Sequence, residues 1–341
     1  MTKTKKIVIG VIAALLALVI LVTLAFSTVI SIAFCYYMKE IVANEYLGIT
    51  VAGVDVTRSN WQDVLGDGTV SYNMHTNMLT FDNASIEHDY SIIHTIKDLN
   101  IKLVGENKFV CKDGDYITAI YAADYLSNKK LSIEGDGSLV IDYQNVSKDG
   151  VGILAGDLMI LTDVTLNISG CSNAITGVVA YSSLTVRYPG NLNVNVGNSS
   201  QVGAVAVRGN LILEGGTSLD VSVGEGVTEA CRGVSVEGDA IIAKGAKLSV
   251  SVDDSKASIR ECISVSGTLD IAADTIVNAS SKQTYAVECY NSIKLGHGAA
   301  ITSSRADGDT AVFCYGAIVN YGATMGGKVE ALGGVHNMFI N

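Results

Sequence analysis

Proline is nearly absent: the chain of 341 residues has one, Pro189. It stands in Tyr188-Pro-Gly, a corner where a missing N–H does no harm. Tryptophan is as scarce, with Trp61 alone, and aromatic residues make up 6% of the chain. Seven cysteines form no Cys-x-x-Cys pair, and the five histidines (His75, His88, His94, His297 and His336) show no ligand spacing. That sets aside the common zinc sites. No basic patch with interleaved aromatics is present, which argues against nucleic acid as a partner. No glycine-rich phosphate loop stands between a strand and a helix. No cofactor is expected. Asp113-Gly-Asp115 and Asp307-Gly-Asp309 are turns that could touch Ca²⁺, but two carboxylates in a turn make a weak calcium site.

What the chain has instead is a repeat, from about Ala119 to Ala331. Gly152-Ile-Leu-Ala-Gly-Asp-Leu-Met-Ile, Ala204-Val-Ala-Val-Arg-Gly-Asn-Leu-Ile-Leu and Gly233-Val-Ser-Val-Glu-Gly-Asp-Ala-Ile-Ile are each a strand, a corner and a second strand. A third strand follows, as in Leu192-Asn-Val-Asn-Val and Leu248-Ser-Val-Ser-Val. The second strand starts at Leu131, Leu158, Leu184, Leu211, Ala240, Leu269, Ile293 and Ile318, in steps of 27, 26, 27, 29, 29, 24 and 25 residues. Such a period signals a solenoid, and period-2 alternation makes its coils from strands. One coil cannot bury its apolar row, whereas a stack can. The spacing therefore predicts an all-β parallel β-helix, a rod of roughly 40 Å for eight or nine coils.

Ahead of the repeat, Lys3, Lys5 and Lys6 precede an uncharged, mostly apolar run from Ile7 to Tyr37, 31 residues long. That is enough for a single transmembrane α-helix. A cleaved signal peptide has an apolar part of about 7–15 residues and a small-residue cleavage site. This run is longer, lacks such a site, and has bulky Phe34 before Cys35, where a lipidated cysteine wants a small neighbour. The lysines place residues 1–6 in the cytoplasm, so the solenoid is expected outside a cell membrane. Beyond residue 40 the chain carries 19 basic and 33 acidic residues. An acidic ectodomain suits solubility and repels nucleic acid and anionic lipid.

Residues 38–46 read as a connector and 47–83 as an N-terminal cap that hides the first apolar layer. The cap is expected to hold a strand Leu47–Val56, a short helix Asn60–Leu65 capped by Ser59, and a hairpin from Thr69 to Asn83 closing around Met74 to Asn77. Residues 84–341 are the β-helix, with less regular first coils.

Val64-Leu-Gly-Asp-Gly-Thr-Val-Ser-Tyr-Asn and Thr76-Asn-Met-Leu-Thr-Phe-Asp-Asn-Ala-Ser-Ile resemble the opening of a group of bacterial surface β-helix proteins of anaerobic Gram-positive gut bacteria. The resemblance covers about Leu47 to the C-terminus. It implies a right-handed β-helix on the cell surface and a lean toward carbohydrate binding. It carries over no catalytic residue.

Registering the third strands gives one outward column of Asp142, Asn167, Asn195, Ser222, Ser251, Asn278 and Thr302. Beside it run Val140, Thr165, Asn193, Asp220 and Ser249. Small stacked polar side chains can bind sugar hydroxyls. They can equally hydrogen-bond one another along the stack. Asp142, Asn167, Asn193, Asn195 and Asp220 are the candidate ligand-binding residues, with Tyr121 and Tyr181 as outward aromatics on the first-strand face.

A β-helix lyase or hydrolase needs about two or three carboxylates together, for acid–base work or Ca²⁺, with a Lys or Arg to stabilise charge. The register gives instead Arg187 beside Glu214 and Arg208 beside Glu237, which read as exposed cross-strand pairs. No catalytic residue is assigned. Cys289 and Cys314 are expected outward as stacked free thiols, with Tyr290 and Tyr315 inward as a ring pair. The short end, Gly333 to Asn341, leaves open a minimal plug, end-to-end association of two rods, or a lost C-terminal continuation. The expectation is a membrane-anchored extracellular β-helix acting as a non-catalytic binding or adhesion surface for a glycan or protein partner. A passive rod or docking platform is the alternative, and a polysaccharide-cleaving enzyme a distant third.

Overall fold

Alternating side chains such as Leu192-Asn-Val-Asn-Val put every second residue on one face of a strand, and only stacking buries that face. In the computed structural model this stacking takes the form of a parallel β-solenoid. The structure describes residues 30, 45–112, 116–123, 129–144, 148–169, 173–197, 199–253, 256–305 and 309–338. The expected transmembrane helix, apart from Ile30, and the turns at 113–115 and 306–308 lie outside these residues. Among them, no helix is long and apolar enough to cross a membrane.

The chain divides into two compact units, Met1–Leu47 with Thr57–Ser59, and Gly48–Val56 with Asn60–Asn341. In the first, Arg58 pairs with Glu45 at 2.9 Å. The second is the solenoid. From Glu45 onward no described residue is helical. The strands form three rows. The first and second rows merge into one 22-stranded sheet, because Asp149–Ile160 and Ala174–Val186 run through both. The third row is a separate 10-stranded sheet running from Ser85–His88 to Thr324–Met325.

The second-row register pairs Leu131 with Leu158, then Leu184, Leu211, Ala240, Leu269, Ile293 and Ile318, one over the next. In the third row Leu139, Val164, Leu192, Leu219, Leu248, Val277 and Ile301 form a matching column. None is more than 1% exposed. Burying an aliphatic side chain of this size contributes about 1.5–3 kcal/mol. Between the first and second rows the chain turns so tightly that a Cβ at Gly316 would stand 1.6 Å from the Asn291 carbonyl oxygen. That corner admits only glycine.

The cap differs in part from its expected form. The hairpin Val70–Asn73 with Met78–Asp82 is present, and Met78–Asp82 then pairs in parallel with Leu99–Val104. The expected single strand Leu47–Val56 is two strands, Tyr46–Val51 and Val54–Thr57. Ala52 (φ 46°) and Gly53 (φ 77°) reverse the chain between them, the left-handed pair that a two-residue hairpin turn needs. The expected helix Asn60–Leu65 is a turn. The Asp63 carboxylate accepts hydrogen bonds from the N–H groups of Gly66 and Gly68, and Val64 N–H is taken by the Val70 carbonyl. A carboxylate that satisfies local backbone donors competes with a helix.

Candidate binding surface on the third sheet

The third row presents its alternate residues outward in two columns. One is Asp142, Asn167, Asn195, Ser222, Ser251, Ser280 and Ser304. The other is Val140, Thr165, Asn193, Asp220, Ser249, Asn278 and Thr302. Asn278 and Thr302 therefore belong to the second column, not the first. The step from the strand Lys247–Val252 to the strand Ile276–Ser281 carries Ser251 onto Ser280. The sequence expectation was two residues short there.

Side chains in these columns bond along the stack. Lys108 pairs with Asp142 at 2.9 Å, the Asn167 amide donates to Asp142 at 3.0 Å, and the Asn195 amide donates to Asn167 at 3.0 Å. In the second column Asn193 donates to Thr165 at 3.4 Å, Lys247 donates to Asp220 at 2.8 Å, and Asn278 donates to Ser249 at 3.4 Å. Each Asn gives one N–H to the preceding coil and keeps a second N–H and a carbonyl lone pair in hand. Spacing between parallel strands of about 4.8 Å is what lets one amide reach the next.

Because these side chains are short, the sheet is hollow on this side. A concavity of ≈ 530 Å³ is lined by Asn193, Asn195, Asp220, Ser222, Ser249 and Asn278 among others. A second, of ≈ 360 Å³, shares Asn195 and Ser222 with it and adds Asn167 and Glu225. Asn167, Asn193, Asn195 and Asp220 thus share one surface, and Asp142 continues it in register. Ser280 and Ser304 line it as well and were missed, because the column was followed with the wrong step.

Tyr121 and Tyr181 stand on the first row instead. The Tyr121 ring stacks on His94 at 5.2 Å, and the Arg208 guanidinium lies over the Tyr181 ring at 4.6 Å. Both tyrosines pack against a small apolar cluster of Ala123, Val151 and Leu154. Arg187 does pair with Glu214, at 2.8 Å, and this carboxylate pushes the exposed guanidinium pKa up.

The last coils invert one expectation. Cys289 pairs with Val265 and with Cys314, in the column that continues Ala155, Ala180, Val207 and Val236, and both thiols are buried. Tyr290 and Tyr315 are the exposed pair, their rings stacked at 4.7 Å and 11°. Next to them Phe313 meets Tyr315 edge-on at 4.9 Å and stacks on Tyr285 at 5.0 Å. Glu288 sits beside these rings; burial raises its pKa, against a lowering by the Tyr290 and Tyr315 hydroxyls. Among the described residues, no three His, Cys, Asp or Glu side chains converge as a metal site. Comparison of the chain with protein-family models, curated proteins and solved structures returned no match.

Proposed function

We propose that this chain is a membrane-anchored, extracellular, right-handed parallel β-helix that binds glycans without cleaving them, along the outward face of its third row. The observation that carries the reading is the concavity of ≈ 530 Å³ lined by amides, hydroxyls and Asp220. Sugars offer alternating hydroxyl donors and acceptors, and Asn, Ser, Thr and Asp side chains at strand spacing match them. The amides are already held in place by their neighbours in the ladder, so little side-chain freedom is lost on binding. The resemblance of Val64 to Asn73 and Thr76 to Ile86 to bacterial surface β-helix proteins leans the same way, and the run Ile7 to Tyr37 supplies the anchor.

A passive rod or partner-docking platform is the second reading. It is favoured by the same ladder, whose side chains satisfy one another with no ligand. A glycan array probed with the full chain separates the two. Specific hits on one glycan class support binding, and silence across the array leaves the rod. Release of reducing sugar or of an unsaturated product would overturn both in favour of an enzyme.

A further inference from the structure

A second surface, on the first row near its C-terminal end, has a different chemistry from the groove. Tyr285 and Phe313 are stacked at 5.0 Å and 17°, and Tyr290 and Tyr315 at 4.7 Å and 11°. Phe313 meets Tyr315 at 83°, so the two stacks form a corner of perpendicular rings. Tyr290 and Tyr315 are 48% and 44% exposed, far more than rings serving only as core. On a chain that is 6% aromatic, four rings on two neighbouring coils are a concentration of one kind of surface.

Glu288 is the carboxylate of this corner. It stands in register between Ser264 and Phe313 and is half-buried. The Tyr290 and Tyr315 hydroxyls favour its ionised form, while burial opposes it. Among the described residues no Lys or Arg pairs with it, although two carboxylates nearby are paired. Glu261 has Arg232 at 3.4 Å and Glu330 has Lys328 at 3.3 Å. A partly desolvated anion without a cation is costly to hold. Ring faces carry negative potential, so the exposed faces of this corner and Glu288 together make a negative, apolar surface.

We propose that this corner binds an organic ammonium cation, with Tyr285, Tyr290, Phe313 and Tyr315 as its aromatic walls and Glu288 as its counter-charge. A sugar would be served by one exposed ring and several neutral donors, whereas here the polar group is an uncompensated anion. An alkylated ammonium is weakly hydrated and gains from both ring faces and carboxylate. The site is separate from the third-row groove, and its proof or failure leaves the glycan reading untouched.

The test uses the full chain and choline as the probe, followed by saturation-transfer NMR of the choline methyl groups and by calorimetry. The control ligand is 3,3-dimethylbutan-1-ol, in which carbon replaces the charged nitrogen. Choline is expected to bind and the neutral analogue to bind at least about tenfold more weakly. Glu288→Gln and Phe313→Ala should each lose about tenfold for choline. Tyr315→Leu, at an exposed position, serves as the variant least able to disturb folding, and melting curves confirm that each variant is folded. Equal affinity for choline and its neutral analogue, unchanged affinity in folded Glu288→Gln, or no choline binding at all would each overturn the proposal.

Discussion

Cys289 and Cys314 stand opposite one another on neighbouring parallel strands, both fully buried in the bore of the solenoid. The Cys289 thiol donates to the carbonyls of Gly267 and Ser292 at 3.3 and 3.2 Å. Burial pushes its pKa up to about 11, and burial raises that of Cys314 as well. At pH 8 the Cys289 thiol is about one part in a thousand thiolate, the reactive form. Both cysteines should therefore resist iodoacetamide in the folded protein. Alkylation mapped by peptide mass should be on the order of a hundredfold slower at Cys289 than after unfolding, and slowed at Cys314 as well. Rapid labelling of either in the native state would put that side chain on the surface.

Val221 lies in register between Val194 and Val250, and none of the three is more than 4% exposed. Val221→Asp places a carboxylate where no partner waits, with a cost of several kcal/mol or a carboxyl driven to stay protonated. Asp220, one residue away, points outward and pairs with Lys247 at 2.8 Å, both partly exposed. Asp220→Ala should cost under about 1 kcal/mol. Urea unfolding of the two variants checks the register directly, since a slip of one residue would exchange the two losses.

Glu288 gives a pH-dependent outcome. Burial holds its pKa above the ordinary glutamate value, and the nearby Glu261 adds to this, against the lowering by the Tyr290 and Tyr315 hydroxyls. For a carboxyl with a raised folded pKa, the favourable contribution is full below the unfolded value of 4.5 and is lost as pH rises through the folded value. Glu288→Gln removes the charge while keeping a group the tyrosines can bond. Its Tm should exceed that of the parent at neutral pH, and the gap should close as pH falls below 4.5. A gap that persists at low pH would mean the effect is packing, not charge.

Much of this fold was legible in the alternation of the chain. The second-strand positions from Leu131 to Ile318 pair in the expected order, because a leucine or isoleucine at that place has nowhere else to go in a stack. The hairpin around Met74 to Asn77 was legible from its flanking strands. Two assignments failed where coil length changes. The second-strand step of 24 residues from Leu269 to Ile293 also carries Val265 onto Cys289, so the same ruler places the cysteines inside and the tyrosines outside. Likewise the step of 29 from Ala240 to Leu269 carries Ser249 onto Asn278. Local composition misled there: Ser280 and Asn278 are both small and polar, and Cys and Tyr both occur in cores. The turn at Asn60–Leu65 was hidden because Asp63 bonding to Gly66 and Gly68 is a side-chain choice that a helical pattern does not display. Of the candidate surface, the Asn and Asp columns were readable from spacing. Its hollowness was not, since that depends on how short outward side chains lie across seven neighbouring strands.

Ser222 offers the sharpest separation of binding from stability on that surface. It is exposed, it lines both concavities, and its neighbours Asn195 and Ser251 are in register with it. Ser222→Trp sends an indole outward into the hollow without entering the core. An exposed substitution of this kind changes stability by about 0.5 kcal/mol or less. The ring should block the shared space of the two concavities, so any glycan-array signal of the full chain should fall at least about tenfold, the loss of roughly 1.4 kcal/mol of contacts. Asn167→Ala makes the opposite cut. It removes the hydrogen bonds to Asp142 and from Asn195 but opens space, so it should lower Tm slightly and weaken binding only to the extent that the ladder orients Asn195. If Ser222→Trp binds the same glycans as the parent with the same affinity, the groove of the third row is not where they bind, and the ladder is left with the structural role that its own hydrogen bonds already describe.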